Sequence, residues 1–283
     1  MIAVTFKDIL LVIITYPQPT DASEIQEAVS FAVALDARIS ALACVIQVRA
    51  PSQHLLSDAF VAGLVGSERK KSADTAAQLL TVFQASAKKS GVFRESLTEA
   101  CFTSDAPNLL IREARLRDLT IVPEILDSSD YRWYAESIVF GSGRPVLLLP
   151  RRNHTRELVL DTVVIAWDGS RPAARAVADA LPILEQAKKV RILTALNEKD
   201  LGSESPAADL AKYLERHGID AMPDCIDAAG RPIGEILSSY VTSNQADLLV
   251  MGAYGHSRLR EFILGGATRS MFSNSPLPIF LSH

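Results

Sequence analysis

The chain is short of cysteine, of aromatic residues and of any excess of positive charge. Its 283 residues include three cysteines, two tryptophans and 6% aromatic residues in all. Cys44, Cys101 and Cys225 are odd in number and far apart, so neither a disulfide framework nor a thiolate metal site is implied. They read as buried bystanders in a reducing, cytoplasmic setting. A net charge of -4 gives no overall attraction to nucleic acid or to an anionic membrane, so neither is expected as a partner. No run approaches the roughly 18 apolar residues of a membrane-spanning helix. The opening "MIAVTFKDILLVIITYP" reads as a buried strand, not as a signal peptide, because its one cation sits within the apolar stretch. Motifs for fast catalysis are also missing: no Walker loop, no nucleophile elbow, no H-E-x-x-H.

What is present is a large apolar fraction and a repeat. Hydrophobic residues make up 48% of the chain, enough for one large or two ordinary domains. "DILLVIIT" (8–15) and "DTVVIAWD" (161–168) are first strands, each followed by a polar turn and a helical pattern, "IQEAVSFAVAL" and "AARAVADALPIL". Second strands follow in "ISALACVIQV" and "VRILTALN". "SDAPNLLIREARLRDLTIVP" then matches "AGRPIGEILSSYVTSNQADLLVMG", with Pro107 over Pro232 and Asp118 over Asp247. Both halves close on a strand after a proline, "RPVLLLP" and "LPIFLSH".

Strands alternating with helices predict two tandem, open, five-stranded, mostly parallel α/β sheets with helices on both faces. The expected domains are 1–150 and 159–283, joined through the polar "PRRNHTREL". The first half carries an extra segment in which Leu55, Leu56, Ala59, Phe60 and Leu64 share one helical face. That face either covers the domain's own core or joins two chains in a homodimer.

In the second half, Ser170 followed by Pro172 signals a helix start. Asp168 falls at the carboxyl end of the first strand, the edge where open parallel sheets bind ligands. "GAYGHSRLREFILGGATRS" (252–270) leaves another strand at the same edge. Its glycines let backbone amides approach an anion closely, phosphate above all, and His256, Arg258, Arg260 and Arg269 add positive potential. The competing reading is that the glycines only permit turns and the cations form a solvated helix face.

The spacing Gly252-x2-Gly255-x9-Gly265 after a strand, with an aspartate closing the first strand, resembles the nucleotide-binding signature of the universal stress protein family. The chain as a whole resembles a tandem member. That resemblance implies a Rossmann-like fold of the adenine nucleotide alpha hydrolase type and binding of ATP, with Mg, in a stress-response module. It implies contacts from Asp168 and the backbone of Ala195 to the nucleoside, and from Gly252, Gly255, Gly265, Gly266 and Thr268 to the phosphates. Mg reaches the protein, if at all, through Asp168. The sequence departs from the family pattern at Gly266, where a Ser or Thr is usual, and Thr268 stands near as a substitute. The resemblance further implies that the closing strands pair in an intramolecular pseudo-dimer. Turnover, if any, is limited to slow ATP hydrolysis or phosphotransfer, and a non-binding scaffold with an inherited glycine loop is the other open reading.

The first half departs further. Aligning at the aspartates puts Pro123 in place of Gly252, and aligning at the closing strands puts Arg132 and Trp133 in place of Gly265 and Gly266. The stretch from Pro123 to Pro145 is four residues shorter than that from Gly252 to Pro278, and matching the two first strands sets Thr15 against Asp168. One nucleotide site per chain, in the second half, is the expectation.

Overall fold

The structure is a computed structural model, and it describes residues 5–47, 58–124, 129–151, 160–196, 205–253, 271 and 275–283. The chain divides into two compact units, one of residues 7–142 with 151–157 and the other of residues 1–6, 143–150 and 158–283.

The 7–142 unit is built from β1 (Asp8–Ile13), α1 (Ala22–Ala34), β2 (Arg38–Gln47), α2 (Asp58–Lys89), β3 (Phe93–Phe102), α3 (Ala106–Ala114), β4 (Leu119–Pro123) and α4 (Ser129–Ser142). Its strands run in the order β3-β2-β1-β4, every pair parallel. Strand character follows position. The central β1 buries Ile9, Leu10, Leu11 and Ile13 completely, each contributing roughly 1.5–3 kcal/mol of apolar burial. Edge strand β3 reads "FRESLTEACF" and leaves Arg94, Thr98, Glu99 and Ala100 exposed.

Helix α1 starts where its sequence says it should. Asp21 accepts from the Ser23 N–H at 2.9 Å, and Glu24 reaches back to accept from the Asp21 N–H at 2.6 Å, a reciprocal cap. The extra segment of the first half joins the next helical pattern in one 32-residue helix, α2. From Ser72 onward α2 buries Ser72, Ala76, Leu80, Phe83 and Ala87, a seam with spacings of three and four. Its first turns bury Val61, whereas Phe60 and Leu64 are 54% and 51% exposed, so these two do not cover the unit's core. Leu55 and Leu56 lie outside the described residues, and nothing is described of the Ala59 side chain.

The other unit contains β5 (Val146–Leu149), β6 (Thr162–Ala166), α5 (Arg171–Leu184), β7 (Lys189–Leu196), α6 (Pro206–Glu215), β8 (Ala221–Asp227), α7 (Ile233–Ser243), β9 (Leu248–Gly252) and β10 (Ile279–Ser282). The order is β5-β10-β9-β6-β7-β8, parallel throughout except that β5 runs antiparallel to β10. The closing strands of the two sequence repeats therefore pair with each other, Leu148 opposite Ile279 and Val146 opposite Leu281. Ser170 caps α5, its Oγ accepting from the Ala173 N–H at 3.3 Å, with Pro172 in the first turn as the sequence predicts. Pro223 sits in β8, an edge strand, where a missing N–H is tolerated. Together the units form an α/β protein of open, mostly parallel sheets, the expected fold class. No helix among the described residues is long and apolar enough to cross a membrane.

One polar device recurs in both units. Asp118 Oδ2 accepts from the Lys7 and Asp8 N–H groups at 2.8 and 3.0 Å, and Asp247 Oδ2 accepts from the Asp161 and Thr162 N–H groups at 3.1 and 2.9 Å. Each aspartate precedes its unit's fourth parallel strand and holds the start of the first. Removing either carboxylate strands two backbone donors. Asp118→Ala and Asp247→Ala should each lower stability by about 1–3 kcal/mol in urea unfolding, while the Asn variants, which keep a carbonyl acceptor, should recover most of it. Alanine variants as stable as the parent would show that these contacts hold nothing.

Candidate functional site

The second unit's sheet has a topological switch point. The chain leaves β6 toward β7 on one side, and β9 lies on the other, so a crevice opens at the carboxyl edge between β6 and β9. The register fixes what meets there. Ala166 is opposite both Leu193 and Met251, so Asp168, Ala195 and Gly252 each stand one or two residues beyond a single row. Three of the residues singled out from the sequence thus reach the same edge at the same height. Gly255, Gly265, Gly266 and Thr268 lie outside the described residues, as do His256, Arg258, Arg260 and Arg269.

Asp168 is half-buried and its Oδ1 accepts from the Ser170 N–H at 2.9 Å, closing the turn before α5. Gly169, within that turn, has φ +68°, a conformation that suits glycine. At the first turn of α5, the Ala173 N–H is already taken by Ser170 Oγ, Pro172 has none, and the Ala174 N–H donates to Ser170 O. Two of the first amides of α5 are thus engaged in the helix's own cap and first turn.

Gly252 has a packing reason of its own. A Cβ there would lie 2.5 Å from the Ala173 nitrogen and 2.6 Å from the Pro172 carbonyl carbon, both backbone atoms. The end of β9 can approach the start of α5 only without a side chain. Two neighbours of the site escape sequence reasoning. Thr194 Oγ1 donates to Trp167 O at 3.1 Å, fixing the backbone just before Asp168, and His283 Nδ1 lies 3.0 Å from Ala253 O. The pairing of Ser282 with Gly252 is the register that brings His283 there. Among the described residues no three His, Cys, Asp or Glu side chains gather as a metal site.

Residues 160–283 match the universal stress protein family. A universal stress protein of Synechocystis sp. is 23% identical over 146 residues, 51% of this chain and 48% of that one, so the chain spans about half the length of the curated relative it matches. Among solved structures, a universal stress protein from Archaeoglobus fulgidus superposes with a TM-score of 0.69 at 16% identity, covering 96% of this chain and 97% of the other. One from Pseudomonas aeruginosa gives 0.58 at 14% identity, covering 98% and 93%. These likenesses establish the fold over nearly the full length.

The corresponding edge of the 7–142 unit differs at the places of Asp168 and Gly252. The Arg38 N–H donates to Lys7 O and the Lys189 N–H to Asp161 O, while the Asp118 N–H donates to Asp8 O and the Asp247 N–H to Thr162 O. Lys7 thus corresponds to Asp161 and Asp8 to Thr162. The residue in place of Asp168 is therefore Ile14, not Thr15; matching the two leading aspartates in sequence slips the alignment by one. Ile14 is 5% exposed and carries no charge. Pro123 ends β4 as Gly252 ends β9. Trp133, aligned with Gly266, is 41% exposed; its neighbour Tyr134 is the buried one, because α4 turns Tyr134, Ala135, Ile138 and Val139 inward together. Tyr134 lines a recess at the end of β1 with Ile14, Thr15, Cys44, Ile46 and Leu110.

Beside β4 lies a group of charges at the start of α1. Glu24 is 3% exposed, and its Oε1 has no hydrogen-bond partner among the described residues. Burial raises its pKa to about 7, with smaller upward pushes from Asp21 and Glu27 and opposing pulls from the Asp21 N–H and Arg151.

Gly252→Ala should cost about 1–3 kcal/mol of stability through backbone displacement at α5, visible in thermal unfolding without any ligand, and an unchanged midpoint would remove the packing role. Glu24 holds its proton more tightly folded than unfolded. Its favourable contribution is full below the ordinary value of 4.5 and declines as pH rises to about 7. Glu24→Gln, which keeps the cap acceptor, should flatten the fall in stability across that window. A pH profile identical to the parent's would contradict the raised pKa.

Proposed function

We propose that the second half of the chain binds an adenine nucleotide, ATP foremost, in the crevice between β6 and β9, and that the protein serves as a nucleotide-responsive stress module, not a fast enzyme. The observation that carries the reading is the convergence of Asp168, Ala195 and Gly252 at one edge of a unit whose residues 160–283 match the universal stress protein family. Asp168 would receive nucleoside hydroxyls and the Ala195 backbone would meet the base or sugar. The loop carrying Gly255, Gly265, Gly266 and Thr268 would enclose the phosphates with its amides, Thr268 supplying the hydroxyl that Gly266 lacks. Asp168 is the one carboxylate assigned to an accompanying Mg ion. The bound nucleotide supplies a transferable phosphoryl group. This chain's residues orient it.

The tandem reading, with domains 1–150 and 159–283, draws support from the duplicated aspartate contacts and from the β5–β10 pairing. In the first half Ile14 supplies no carboxylate, Pro123 no N–H, and Tyr134 lines the recess, so we expect at most one nucleotide per chain. A second reading, a scaffold that binds no nucleotide, is favoured by one observation: Gly252 is required for packing whether or not a ligand is present.

The test is the nucleotide content of the purified protein, by denaturation and chromatography, followed by calorimetry with ATP. We expect no more than one site per chain and its loss in Gly255→Val/Gly265→Val, whose Cβ atoms block anion approach. Two sites per chain, or binding that survives the double substitution, would overturn the assignment, and absence of any binding would leave the scaffold.

A further inference from the structure

Cys44 and Cys101 are far apart in sequence, yet the fold brings them together. β2 and β3 are parallel neighbours with Cys44 opposite Glu99, so Cys101, two residues on, points from the same face of the sheet. The two side chains thus stand on one face of adjacent strands, Cys101 lying opposite Ile46, two residues beyond Cys44. Cys44 is buried at 6% exposure, whereas Cys101 is half-buried near the end of an edge strand, open to a small solute. Cys225, the third cysteine, is exposed in β8 of the other unit. The expectation of buried cysteines holds for Cys44 and fails for Cys101 and Cys225.

We propose that Cys44 and Cys101 form a redox-active dithiol, oxidised by hydroperoxides to an intramolecular disulfide across β2 and β3. The chemistry divides by exposure. The Cys101 thiolate attacks a peroxide oxygen, the O–O bond breaks, and Cys101 becomes a sulfenic acid while hydroxide leaves and is protonated to water. Cys44 sulfur then attacks the sulfenic sulfur; the S–S bond forms, the S–O bond breaks, and the departing hydroxide takes the Cys44 proton as a second water. Two electrons pass from the sulfurs to the peroxide. The order of attack agrees with the acidities: the neighbouring Cys44 thiol lowers the pKa of Cys101, against burial and the charges of Asp105 and Glu99, while the neighbouring Cys101 and burial raise that of Cys44.

The bond closes on a diagonal, since the residue directly opposite Cys44 is Glu99. Closure needs β3 to move along β2, and as an edge strand β3 has β2 as its one neighbour in the unit's strand order. Such a cross-link is reduced readily, as suits a reversible one. It also reaches the recess in place of the nucleotide crevice, because Cys44 lines that recess and its carbonyl accepts from Thr15 Oγ1. The inference stands independently of nucleotide binding.

The experiment uses the full chain with Cys225→Ser, treated with hydrogen peroxide while native. We expect intact mass to fall by two hydrogens, both thiols to become inaccessible to alkylation after denaturation, and dithiothreitol to restore both. A proteolytic map should contain the 44–101 linked peptide. In Cys44→Ser on the same background the link should vanish and dimedone should trap a sulfenic acid at Cys101. Two thiols still alkylatable after oxidation, Cys101 driven to sulfinic acid with Cys44 present, or linkage only between chains would each overturn the proposal. Should a variant fail to fold, the peptide map of the oxidised, unsubstituted chain decides instead, by the presence or absence of the same 44–101 link.

Discussion

The two units rest on one interaction made twice, a single aspartate carboxylate accepting two consecutive backbone amides at the start of the first strand. Asp118 and Asp247 each stand at a strand start themselves, so the contact fixes first and fourth parallel strands in register before any side chain packs. A one-residue slip would carry every side chain of a strand to the opposite face. With the amino edge clamped in this way, the heights of residues at the carboxyl edge follow from simple counting along each strand. That is why Asp168, Ala195 and Gly252 arrive level with one another.

The clamp and the crevice occupy opposite edges of the sheet, and this separation explains how the halves came to differ. Ile14, Pro123 and Tyr134 change the carboxyl edge of the first unit without touching Asp118 or the apolar interior of β1, β2 and β4. Substitution there costs the fold little. Gly252 is the exception on the second side, because it serves β9 and α5 as well as the loop that follows. Pro123, at the end of β4, has a fixed φ and no donor.

Much of this arrangement is legible in the sequence. The repeat, the open and mostly parallel α/β sheets, the cap at Ser170 and the equivalence of Asp118 with Asp247 all follow from patterns with a local physical cause. The failures share another origin. Matching "DILLVIIT" to "DTVVIAWD" on their leading aspartates overlooks that Asp161 lies before its strand whereas Asp8 lies within it, and so sets Thr15 where Ile14 belongs. Choosing Trp133 over Tyr134 as the residue that fills the crevice overlooks the angle of α4, since adjacent helical residues point about 100° apart.

The cysteine pair is illegible for a deeper reason. Spacing rules detect ligands and cross-links that lie close in sequence, whereas Cys44 and Cys101 meet through the register of β2 on β3, with the whole of α2 between them. That register steps between Ile39 and Ala41, and without the step the residues opposite Cys44 would change face. A single irregularity of pairing, a few residues before Cys44, thus decides whether two sulfurs face one another or opposite sides of the sheet. Local composition carries no trace of it, and only the assembled sheet makes the chemistry of the pair visible.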